Sequence, residues 1–107
     1  MNIEKWFLNG TGLKIKYLRY LKMPPFPYLL YTDDKNIQQA GLYNLVEHNL
    51  IIEFYSEKID EINEEKIEMF LKSEDMNYKK IRDWLQEEEI FVTTYEIEPF
   101  LEKVLKR

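Results

Sequence analysis

Apolar and polar residues alternate most clearly between Leu42 and Tyr55, where Val46, His48, Leu50, Ile52 and Phe54 stand on even positions against Glu47, Asn49 and Glu53. A period of two over this length predicts a strand with one buried face. The period then lengthens. Ile59, Ile62, Ile67, Phe70 and Leu71 form an apolar stripe over about Glu61 to Lys72, with Asp60 placed to cap the helix and Glu61, Glu64 and Glu65 at the positive end of its dipole. Period two returns in a hairpin with strands at Tyr78–Leu85 and Ile90–Ile97, joined by the acidic tip Gln86-Glu87-Glu88-Glu89. In its second strand Phe91, Thr93, Tyr95 and Ile97 share one face, and Ile90, Val92, Thr94 and Glu96 the other.

Both ends of the chain read as short helices. Ile3, Trp6 and Phe7 are helically spaced behind Asn2, with Asn9-Gly10 as the stop. Glu98-Pro99 resembles a helix start, and Phe100, Leu101, Val104 and Leu105 follow at amphipathic spacing. Between Leu13 and Leu21 the β-forming content rises, and Pro24, Pro25 and Pro27 then forbid a continuing helix or central strand. The stretch "PFPYLLYT" therefore reads as a proline turn delivering Tyr28 into a second strand, paired with the first as a hairpin and closed by the turn formers Asp33 to Asn36. Hairpin-linked strands separated by one long helix predict an α+β fold. The chain reads as one domain over residues 1–107, with an antiparallel or mixed sheet of about four to five strands, one main helix and short terminal helices. It has no internal repeat, low-complexity tract or linker.

Composition narrows the function. The chain has 107 residues, 45% of them hydrophobic and 15% aromatic, enough for one core and no second domain. A net charge of -5 argues against specific nucleic-acid binding, which needs an excess of clustered Lys and Arg. Lys14, Lys16, Arg19 and Lys22 are the one basic run, and the solvent side of an edge strand accounts for them. No cysteine is present, so disulfides, thiolate metal sites and a Cys nucleophile are excluded. No run approaches the ~18 apolar residues of a membrane span, and the amino terminus is too short and charged for an export signal, so synthesis in the cytoplasm is expected.

Candidate chemistry is sparse. His48 lies on an apolar strand face without a partner at catalytic spacing, and a packed histidine explains it. Asp33-Asp34 and Glu87-Glu88-Glu89 lack the spaced oxygens and glycine of a calcium loop. Ser56 and Ser73 lack a nucleophile-elbow context, and Gly10, Gly12 and Gly41 form no phosphate loop. Pro24-Pro25-Phe26-Pro27 contains a PxxP spacing but runs straight into a strand, so the turn reading prevails over a polyproline ligand. The expectation is a protein that is not an enzyme, with no catalytic, cofactor-binding or metal residues.

The order of motifs adds something composition does not. "TGLKIKY", then "PYLLY", "NLIIEFYSEKID", "NEEKIEMFL" and "YKKIRDWLQEEEIFVTTYEIE", with Trp84, Phe91 and Tyr95 at aromatic positions, resemble a family of small tail-completion proteins of long-tailed phages and prophages of Gram-positive bacteria. The resemblance covers Thr11 to Glu98 and leaves residues 99–107 as a helical extension. It implies a virion structural protein, a tail terminator or head–tail joining subunit. Such a subunit would assemble as a homo-oligomeric ring, a hexamer by resemblance, against tail-tube and head–tail connector proteins, without membrane or cofactor. The alternative of a different class is a small acidic adaptor or inhibitor that occupies a basic site on a host bacterial factor.

Overall fold

The computed structural model describes residues 1–106. Its first helix, α1 (Ile3–Thr11), is capped by Asn2, whose Oδ1 accepts from the Lys5 amide at 3.0 Å. The helix stops at Gly12 instead of Asn9-Gly10, because Gly12 takes the left-handed conformation (φ 75°) and its N–H closes on the Leu8 carbonyl. Gly10 stays helical for a different reason: a Cβ there would lie 2.0 Å from the Phe70 ring.

The first strand is shorter than the sequence predicts. β1 is only Ile15–Tyr17, and it runs parallel to β2 (Tyr28–Asp33), so the expected hairpin is absent. Residues 18–27, stiffened by three prolines, carry the chain back to the end where β1 began. A parallel crossover normally takes a dozen residues or more, and the brevity of β1 is what makes this one sufficient.

The long strand over Leu42 to Tyr55 becomes two, β4 (Tyr43–His48) and β5 (Leu50–Ser56), which meet at Asn49 and enter different sheets. Alternation passes through the break undisturbed, since Val46, His48, Leu50, Ile52 and Phe54 are all buried. An additional strand, β3 (Asn36–Ala40), pairs with β4 through a two-residue loop in which Gly41 supplies a φ of 66°. The second helix, α2 (Glu61–Ser73), is capped by Asp60 and buries Ile67, Phe70 and Leu71. Ile59 and Ile62 leave the expected stripe and are exposed, and Glu64 takes the buried position on that face. β6 (Tyr78–Leu85) and β7 (Ile90–Ile97) form the expected hairpin.

Residues beyond Pro99 form a strand, β8 (Phe100–Leu105), where the sequence predicts a helix. So short a segment gains little from helix formation alone, whereas the free edge of β4 offers a register running from His48↔Phe100 to Tyr43↔Leu105. The fold is α+β, with a five-stranded mixed sheet β1-β2-β5-β7-β6 and a three-stranded antiparallel sheet β3-β4-β8.

Both helices pack on one face of the larger sheet. Ile3 and Phe7 of α1 join Ile67, Phe70 and Leu71 of α2 over Ile15, Leu29, Ile52, Phe54 and Tyr95. The smaller sheet projects as an arm. The molecule measures 50 × 29 × 22 Å, and its radius of gyration of 15.2 Å exceeds the roughly 13 Å of a compact chain this long.

Candidate functional site

Among the described residues no helix covers the second face of the five-stranded sheet. Its register aligns Tyr28, Tyr55, Val92 and Asp83 in one row and Leu30, Glu53, Thr94 and Ile81 in the next. An antiparallel sheet facing water normally turns polar residues outward. Here Leu30, Ile51, Tyr55 and Ile81 stand on that face beside Asp83, Glu53 and Thr94, with Ile51 37% exposed and the other three apolar residues half-buried. On the arm, Tyr43, Leu45, Leu101 and Leu105 share one face by the same register logic. Leu101 and Leu105 are 68% and 62% exposed, and Leu42 at the hairpin end 76%. Scattered apolar residues on a surface are ordinary; aligned on one side of two sheets they mark a surface built to be covered.

A second feature lies at the β1 edge. Phe26 stacks on Tyr28 at 5.3 Å, Tyr28 on Tyr55 at 5.0 Å, and Tyr20 meets Tyr28 edge-on at 6.0 Å. Burial and the neighbouring Glu53 carboxylate push the Tyr55 hydroxyl up to about 12. Beside this stack is a cleft of about 470 Å³ walled by Lys14, Tyr20, Lys22 and the three prolines. The PxxP segment is therefore one wall of a cleft as well as the lead-in to a strand. Charge is divided unevenly along the chain: residues 1–25 hold five Lys/Arg and only Glu4, a net +4, which leaves -9 on the remainder.

His48 has partners that sequence spacing does not reveal. Its Nδ1 lies 2.6 Å from Asp33 Oδ2 and its Nε2 2.8 Å from Glu102 Oε1, while the ring stacks on Phe100 at 4.8 Å. Each ring nitrogen thus faces a carboxylate oxygen at hydrogen-bond distance. Asp33 also accepts from the Asn49 amide at 2.9 Å, and the amino terminus reaches Glu102 at 2.8 Å. This cluster joins β2, β4, β8 and the start of α1 at the root of the arm. Asp33, expected in a turn, thus ends β2 with its carboxylate buried against His48. Both ring nitrogens are engaged by carboxylates within the fold. Ser56 is buried at the far end of β5, ~25 Å of strand away, and Ser73 donates to the Phe70 carbonyl. Among the described residues, no group of three or more His, Cys, Asp or Glu is arranged to hold a metal.

Glu64, read from sequence as a dipole-stabilising acid, proves to be the centre of a second buried cluster. Arg82 donates to both of its oxygens, Lys80 Nζ lies at 2.8 Å, and Thr93 Oγ1 donates at 3.2 Å. Burial pushes the Glu64 carboxyl up, and the bonds from Arg82 and Lys80 more than offset this, leaving it below its ordinary value. Glu102 is also lowered, chiefly by the amino terminus. A carboxylate held low in the folded state stabilises the fold above its unfolded pKa, and that stability is lost as pH falls through the folded pKa. The urea midpoint is therefore expected to fall as pH drops below the ordinary carboxylate value of 4.5, and less steeply for Glu64→Gln. Equal pH dependence in variant and wild type would remove Glu64 from this account. No family model matches the chain, and no curated protein matches it either.

Proposed function

We propose that this protein is a structural subunit of a phage or prophage virion that completes the tail and joins it to the head, acting through assembly and not catalysis. The observation that carries the reading is the uncovered, apolar side shared by the two sheets, with Leu30, Ile51, Tyr55, Leu101 and Leu105 turned outward. A protein that works alone gains nothing from such a surface and risks aggregation by it, whereas an assembly subunit buries it. The motif order from Thr11 to Glu98 that resembles tail-completion proteins supports the same reading. So does the engagement of the buried His48 and Glu64 side chains by partners within the fold. The acid excess would favour an adaptor aimed at a basic host site, but it leaves the apolar side without a role.

Deleting the gene from an inducible prophage is expected to yield DNA-filled heads and tails that fail to join, seen by electron microscopy, with infectivity restored by the gene in trans. Normal joined virions from the deletion strain would overturn the reading.

A further inference from the structure

We infer that copies of this chain associate side by side, the acidic β6–β7 hairpin tip of one entering the basic, aromatic cleft of the next. The two surfaces lie on opposite edges of the same sheet. In the strand order, β1 is one edge and β6 the other. Lys14 and Lys22 line the cleft at the β1 edge, and Lys16 and Arg19 flank it. All four are exposed, and none has an acidic partner among the described residues. At the other edge Glu87, Glu88 and Glu89 are likewise exposed, without cationic partners among the described residues. Unpaired charges of opposite sign on opposite edges are complementary from one copy to the next, not within one copy.

The register sets the heights. Tyr28, Tyr55, Val92 and Asp83 form one row across the sheet. The cleft prolines come directly before Tyr28, and the tip comes directly before Ile90. Cleft and tip are therefore at the same end of the sheet, displaced sideways by the three strand spacings from β2 to β6, about 14 Å. A contact between two different patches repeats head to tail, closing into a ring if the rotation closes and winding into a filament if each step also rises. Patches at one level favour the step without rise. The apolar wall of Tyr20, Pro24 and Pro25 gives the glutamate stems a surface to cover while their carboxylates meet Lys14 and Lys22.

This inference deepens the virion-subunit reading and rests on it for the closed ring, and its test is separate. Sedimentation equilibrium and native mass spectrometry would compare the wild type with two charge-reversed proteins. One carries Glu87→Lys, Glu88→Lys and Glu89→Lys, and the other Lys14→Glu and Lys22→Glu. Wild-type chain is expected to self-associate and to weaken as salt rises, and each reversal to weaken association by about tenfold or more. Mixing the two reversed proteins is expected to restore it, because each tip then meets an oppositely charged cleft. The substitutions are on the surface, where folding is rarely disturbed; the salt titration of wild type needs no variant at all. Wild-type chain that stays monomeric at millimolar concentration, association untouched by the reversals, or a mixture that fails to recover would each overturn the interface. Those outcomes leave the deletion phenotype to stand or fall independently.

Discussion

His48→Ala is expected to lower the stability of the fold by about 3–5 kcal/mol, the usual cost of removing one partner from a buried ion pair. The ring is buried, and so is the Asp33 carboxylate it faces at 2.6 Å. Without the imidazole, Asp33 keeps only the Asn49 amide as a donor. Lost ring packing on Phe100 adds to the cost. His48→Phe separates the two contributions: it preserves shape and stacking but still strands the carboxylate, so most of the loss is expected to remain. Urea midpoints at unchanged slope would measure both. A loss below about 1 kcal/mol for His48→Ala would mean that the arm is not held at its root by this cluster.

The second large effect comes from adding a single methyl group. Gly10→Ala improves intrinsic helix propensity by about 1 kcal/mol, so on local grounds it should stabilise α1. Packing opposes this. The new Cβ would fall 2.0, 2.2 and 2.7 Å from three atoms of the Phe70 ring, which is also held by Trp6 at 4.7 Å and Phe7 at 5.9 Å. Ordinary overpacking costs about 1–3 kcal/mol, but a ring expelled from its site costs nearer the 3–5 of a Phe truncation. The net expectation is a loss of about 2–4 kcal/mol, after the propensity gain is set against ring displacement. Phe70→Leu should recover part of it in a double-mutant cycle, since the two residues touch. A Gly10→Ala protein as stable as wild type would show that α1 moves away from α2 at little cost.

These two residues also show where sequence reading succeeds and where it stops. The inward position of His48 was legible from period two alone, because alternation continues through Asn49 even though the strand changes sheets. Its partners were not: Asp33 is fifteen residues away and Glu102 fifty-four, a separation no local pattern encodes. Gly10 looked like a helix stop because local chemistry makes glycine a stop, and only the neighbouring helix explains it as a close approach. The β6–β7 hairpin and the cap and extent of α2 were readable, since tip and cap are local, whereas the inward place of Glu64 in that helix was not, because Arg82 and Thr93 that hold it come from β6 and β7. β8 was misread because amphipathic spacing in a segment this short suits either structure, and the free edge of β4 decided it. The parallel entry of β2 escaped for a similar reason: prolines announce a turn but not the direction in which the chain leaves it. Of the candidate site, the basic run and acidic tip were visible as charges, and only the strand order placed them on opposite edges at one end.

The passage of one chain segment from β4 into β5 has a mechanical consequence. A pull on the arm is not borne by a flexible tether, because the load runs along covalent backbone into β5, in the middle of the larger sheet. There β5 is held by β2 from Tyr28↔Tyr55 to Asp33↔Leu50 and by β7 from Ile51↔Glu96 to Ser56↔Phe91. Tension along the strand loads both ladders in shear, so their hydrogen bonds resist together instead of opening one after another. The arm is thus a stiff lever on a braced root, able to hand torque to the body of the molecule.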